Sequence, residues 1–372
     1  MERKNWHYFA LASLSVSYFC QVILLIAGHI FSGALKEVLF CIAEDLSFVI
    51  FPLVCVVVFF TRNLCNNSSI LLISSWLGLL GVIISPAFSD NNVTSLMGVA
   101  ITENLPFISG FVLIFCSLFF ATIFTDYFAI IVFQLIIILL FILSHRSVNA
   151  LLYQMDIGSY YYFLFRSISC AFKFFATEIM MVAWIFMTKK ILKRELYYQN
   201  FCNWILWLNL AFILPIFYIH FTTLIDSAEA FEFFTDYTKY TVQISPFMLF
   251  IILLSEYRIF RFSLPILYFF SSALLCAIEL FSLSSISPFS SVIVALVGLM
   301  FGSKNSFESY LFIIGELIST ICYVFWGGDI LLDIVNSTSI DWTIVTFFTC
   351  GKILSTIGIS TFMIRAFSLG KL

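Results

Sequence analysis

Apolar runs close to twenty residues long follow one another along almost the whole chain, separated by short polar segments. One of them, "FLFRSISCAFKFFATEIMMVAW", spans Phe163 to Trp184. An α-helix needs about 20 apolar residues to cross the hydrocarbon of a bilayer. A β-barrel strand is about 10 residues long and alternates strictly between apolar and polar; these runs do neither. The runs therefore point to helices with lipid as their main solvent. Composition agrees, with 62% hydrophobic residues, 10% charged residues and 47 Phe. A soluble domain holds about 25% charged residues, and this chain has too few to cover itself with polar surface.

The sequence predicts an all-α polytopic membrane protein of about twelve transmembrane helices, placed in the cell (inner or plasma) membrane. The expected spans are 8–31, 38–61, 69–88, 96–124, 127–144, 160–188, 201–225, 241–257, 262–283, 288–301, 307–335 and 342–367. The first follows a short basic start and continues without a small-residue cleavage site, so it is read as a retained span rather than a signal peptide. Cytoplasmic loops should hold the Lys and Arg residues. With the N-terminus inside, twelve such residues fall on the inner side and three (Lys36, Arg146, Lys239) outside. That bias places both termini in the cytoplasm. The expected domains are a six-helix bundle at 1–190, a basic linker at 191–200 and a second six-helix bundle at 201–372.

The segment "KKILKRELYYQN", Lys189 to Asn200, divides six expected spans from six. In this layout the chain resembles the major facilitator superfamily. The resemblance implies two six-helix halves around a central pathway, transport of a solute, and no cofactor. It stops at the layout. Where that family has G-x-x-x-D-R-x-G-R-R, this chain has "FFTRNLCNNSS", Phe59 to Ser69, with Arg62 alone in common.

Charges inside the apolar runs are the candidate functional residues. Lys173 falls at the middle of the run 160–188, where an uncompensated Lys costs about 2.5–3.5 kcal/mol. On a helix, Arg166, Ser169, Cys170, Lys173 and Thr177 share one stripe, whereas Glu178 points about 120° away from Arg166. The partners expected for Lys173 are Glu316 and Glu44, with Asp45 beside Glu44. Lys352-Ile-Leu-Ser-Thr356 repeats the pattern of Lys173-Phe-Phe-Ala-Thr177 and adds Lys352 to the set. Two readings follow: ion pairs that hold helices together, or a pathway for a substrate or proton.

The remaining features carry less. The ten Cys are scattered without a CxxC pair and read as small apolar residues. Pro106, Pro215, Pro246 and Pro265 lie within or near the ends of spans and read as kinks, and Trp204, Trp207 and Trp342 fit interfacial belts. The pieces "IAGHIF" around His29 and "ENLPFISGFVLIF" from Glu103 resemble the His and SGF elements of membrane acyltransferases, with the expected upstream Arg replaced by Phe19. Many-spanned glycan polymerases are similarly Phe-rich, yet the outer loop Asp226 to Tyr240 is acidic and lacks Arg. Enzyme chemistry is thus the weaker expectation, with no cofactor, metal or nucleic-acid partner. The stronger one is a carrier of a small or amphipathic solute, proton-coupled where the buried charges titrate. The alternatives are a membrane sensor that works through a protein partner, and a lipid-linked glycan polymerase or flippase.

Overall fold

The computed structural model describes residues 2–32, 39, 43, 69–84, 113, 116–117, 157–222, 228–257, 263–280, 290–301, 307–325 and 342–369. Among these residues all regular structure is helical. In chain order the helices are α1 (Glu2–Ile30), α2 (Ser69–Ile84), α3 (Ile157–Leu192), α4 (Gln199–Thr222), α5 (Ala228–Glu256), α6 (Leu264–Leu280), α7 (Ser290–Phe301), α8 (Phe307–Phe325) and α9 (Trp342–Leu369).

This corrects the expected layout of twelve spans in two six-helix halves. Among the described residues there are nine helices, and two segments are long and apolar enough to cross a membrane, Ala12–Ile30 in α1 and Thr343–Arg365 in α9. The apolar stretches of α5, α6 and α7 are shorter, at Tyr240–Glu256, Leu264–Glu279 and Ser290–Leu299. The physical reason is that hydropathy does not distinguish lipid-facing surface from protein core. Every residue from Ser290 to Leu299 is buried, as is every residue from Phe174 to Ile185. A helix apolar on all sides and enclosed by protein spends its apolar surface on the core. The expected spans 38–61, 96–124 and 127–144 lie outside the described residues, apart from isolated positions.

The chain forms two compact units that interleave in sequence. The first comprises Met1–Arg62, Ile179–Gln199 and Phe250–Leu372; the second comprises Asn63–Glu178 and Asn200–Leu249. In the second unit, the wholly buried Asn209 of α4 donates to the Glu178 carboxylate of α3 at 2.7 Å and to the Phe174 carbonyl at 3.4 Å. Burial pushes the Glu178 pKa up to about 8, with the Asn209 hydrogen bond only partly offsetting it, so near neutral pH the group is held mostly as the uncharged acid.

The first unit holds two helix clusters. Around α6 and α7, Trp184 of α3 packs edge-on against Phe269 at 5.5 Å and Phe250 at 6.2 Å between centroids. Its indole donates to Ser272 Oγ at 2.9 Å, which donates in turn to the Ser291 carbonyl at 2.7 Å. In the other cluster α8 and α9 pack antiparallel, close enough that small residues are obligatory. A Cβ on Gly315 would lie 2.5 Å from Ser355 Oγ and 2.6 Å from the Gly351 carbonyl oxygen. A Cβ on Gly351 would lie 2.6 Å from Ser319 Oγ. Gly315-x3-Ser319 and Gly351-x3-Ser355 thus form a small-residue seam of the kind that lets helix backbones approach closely in apolar surroundings. Helix α1 lies along α9, also antiparallel, as the pairs Ser15–Ser360 (2.8 Å) and His29–Thr349 (3.1 Å) show.

Candidate functional site: a buried ion pair among three helices

Closing the seam to within backbone contact brings the side chains one residue further along each helix together. Glu316 follows Gly315, and Lys352 follows Gly351. Glu316 is 0% exposed and Lys352 is 4% exposed. The Lys352 ammonium donates to both carboxylate oxygens, at 3.3 Å to Oε1 and 3.1 Å to Oε2. From α1, the wholly buried Tyr18 donates its hydroxyl to Glu316 Oε1 at 2.9 Å. The ring of Tyr18 lies 5.6 Å from the Lys352 ammonium and that of Phe348 lies 6.0 Å from it. Both distances are within the range of a cation–π contact. Phe312 packs edge-on against Tyr18 at 6.0 Å and holds the phenol in place.

The charges are therefore compensated but not solvated. Removing either partner would strand the other in a medium where an isolated ion is very costly. Further hydroxyls surround the pair: Thr356 donates to the Lys352 carbonyl at 2.7 Å and Ser319 to the Gly315 carbonyl at 2.8 Å. The buried hydroxyls of Ser355 and Thr320 have no hydrogen-bond partner among the described residues. They lie one helical turn from Lys352 and Glu316 respectively. Along α9 the polar positions Thr349, Lys352, Thr356 and Ser360 follow helical spacing, and each meets α1, α8 or its own helix through a hydrogen bond.

Of the residues singled out in the sequence, the structure brings Glu316 and Lys352 together. Arg166 and Lys173 lie on α3, and their side chains are outside the described residues, as are Glu44 and Asp45 entirely. The cation expected on Glu316 was Lys173; the one found there is Lys352. Tyr18 was missed, and one Tyr among 16 offers no sequence signal. The paired Gly-x3-Ser spacing was available in the sequence and would have predicted the α8–α9 contact.

Other ionic arrangements occur among the described residues of the first unit. Glu279, at the end of α6, accepts from the Ser291 backbone N–H at 3.1 Å and the Ser291 hydroxyl at 2.8 Å. This places its charge against the first turn of α7, where backbone donors lack helical partners. At the end of α3, Lys193 adopts a left-handed φ of 53° and stops the helix. The turn aims Arg194 at the buried Glu256, 3.0 Å away, and over the Tyr197 ring at 4.0 Å. Beside it, burial pushes the Tyr257 phenol above its ordinary pKa, with a hydrogen bond to Thr188 partly offsetting the effect. Arg365 pairs with Glu308 at 3.2 Å in a half-exposed position. Among the described residues, no cluster of His, Cys, Asp and Glu could hold a metal ion.

The described residues form an all-helical arrangement whose most distinctive chemistry is a buried, three-helix Lys–Glu–Tyr cluster. No family model matches the chain. It is similar to "Uncharacterized protein RP382" of Rickettsia prowazekii (strain Madrid E), at 32% identity over 107 residues. That match covers 28% of this chain and 21% of the relative, so the chain spans about a fifth of that protein's length.

Proposed function

We propose that the protein resides in a lipid membrane, crossed by α1 and α9, and carries a small solute by way of the Lys352–Glu316–Tyr18 cluster. The observation that carries this reading is a set of large apolar side chains exposed on two helices that bury polar and charged ones. Helix α1 exposes Val16, Phe19, Ile23, Ile26 and Ile30 while burying Ser15, Tyr18 and Gln21. Helix α9 exposes Phe347, Ile357 and Ile364 while burying Lys352, Ser355 and Thr356. Large apolar side chains exposed beside a buried charge pair fit lipid as the surrounding medium. Lys352 is ten residues into the 23-residue apolar segment Thr343–Arg365, near mid-depth for a crossing helix. Ionisable groups at that depth are expensive and usually mark the route of an ion or solute.

The test uses purified protein reconstituted into vesicles that contain a pH-sensitive dye. An imposed proton gradient should dissipate faster with the wild-type protein than with E316Q, each checked for folding by circular dichroism. Equal rates for the wild type, E316Q and protein-free vesicles would overturn the proposal.

A further inference from the structure

The groups that surround the Lys352 ammonium form a recognition site in their own right. A carboxylate (Glu316) faces the cation at 3.1 and 3.3 Å. Two aromatic rings (Tyr18, Phe348) flank it at 5.6 and 6.0 Å. A carboxylate set between aromatic faces is the chemistry by which proteins recognise organic ammonium ions. Here the box is filled by the protein's own side chain. Lys352 reaches it from α9 through a four-carbon stem, and its ammonium is chemically that of a primary alkylamine.

We infer that this box is a binding site for a primary organic ammonium ion and that Lys352 is its tethered occupant, displaced when the ligand binds. The inference rests on the carrier reading above and names its substrate class. Charge balance dictates what displacement entails. One carboxylate holds one cation, and a second ammonium in the same buried box would be uncompensated. Lys352 therefore gives up one proton to solution as the ligand ammonium enters, and leaves as a neutral amine. The carboxylate stays ionised and the net charge of the site is unchanged: one ammonium enters and one proton departs. The retreating amine can be received one turn away by the Ser355 and Thr320 hydroxyls, which are buried and have no hydrogen-bond partner among the described residues. An amine both donates and accepts, so it satisfies hydroxyls of either orientation.

Among the described side chains of these helices, no other charged group competes for the box. Between Trp342 and Leu369, α9 carries Lys352 and the distant Arg365; α8 carries Glu316 and, two turns away, Glu308. On the described part of α1 that meets α9, the titratable groups are Tyr18, His29 at Thr349, and Cys20, which is exposed. Within the described box, the proton released on binding comes from the Lys352 ammonium.

The experiment is calorimetric titration of the detergent-solubilised full chain with n-propylammonium chloride, against sodium chloride at equal ionic strength. It is run in two buffers of different ionisation enthalpy so that proton release is read directly. The wild type should bind saturably and release about one proton per ligand, as charge balance requires. K352A should bind at least about tenfold more tightly, since the tethered competitor is gone; there the proton released comes from Glu316, which is protonated when no cation faces it. E316Q should not bind. The inference is overturned if neither the wild type nor K352A binds, or if the wild type binds with no proton release and E316Q binds equally well. The two proposals fail separately. Glu316-dependent proton flux in vesicles without propylammonium binding would refute this site and leave the carrier reading standing. Binding with proton release but no flux would do the reverse.

Discussion

Two carboxylates lie buried in the same compact unit and are handled in opposite ways. Glu279 accepts from two neutral donors, the Ser291 N–H and hydroxyl at the start of α7. Glu316 is held by an ammonium and a phenol brought from two other helices. The first arrangement is local, twelve residues apart in sequence, and uses unpaired donors that every helix start provides. The second spans 298 residues from Tyr18 to Glu316 and introduces a second buried charge. The donors described at Glu279 are neutral, whereas at Glu316 one of them is a cation. A buried ion pair is often no more stable than apolar residues of the same volume, so stability alone gives little reason for one. The contrast favours a working role for the pair.

The comparison can be broken most forcefully at the ion pair. K352M leaves an uncompensated carboxylate at a 0%-exposed position, and about 3–5 kcal/mol of stability should be lost. Thermal unfolding in detergent checks this, and a loss below about 1 kcal/mol would mean that the carboxylate finds water or a proton easily. The seam that positions the pair comes next. G351A places a methyl group 2.6 Å from Ser319 Oγ. Because its other close neighbours are the Ser319 and Gly315 backbones, the helices must separate, at about 1–3 kcal/mol. The same substitution should slow Glu316-dependent proton flux in vesicles.

How much of this was legible in the sequence differs between the same two places. The apolar runs marked the helices themselves: those at 69–88, 201–225 and 342–367 coincide closely with α2, α4 and α9. Their role was over-read, because a run such as Ser290–Leu299 is equally apolar whether lipid or protein surrounds it. Glu316 and Lys352 were visible as charges in apolar stretches. Their pairing was not, because the register between α8 and α9 is set by Gly315 and Gly351 meeting across a seam. Glu279 drew no attention, since a carboxylate near the end of an apolar run looks like an interfacial residue until the first turn of α7 is seen against it.

Weaker effects sharpen the contrast. E279A leaves the Ser291 donors without their carboxylate and should cost about 1–3 kcal/mol. It should not alter proton flux, since that carboxylate sits against the first turn of α7 and not in the Lys352 cluster. Flux loss in a folded E279A protein would erase the distinction between the two sites. The smallest effect is expected at the half-exposed pair Arg365–Glu308. There R365A should cost no more than about 1 kcal/mol and the loss should shrink further in high salt.

The most direct measurement combines stability and flux in one double variant, K352M/E316L. Replacing both charges with apolar groups of similar size removes the uncompensated ion that makes K352M unstable. The expected result is that unfolding returns most of the way to the wild-type value while proton flux in vesicles stays at the protein-free level. A stable K352M/E316L protein that conducts protons at the wild-type rate would contradict the central claim and reduce the Lys352–Glu316 pair to a structural clamp.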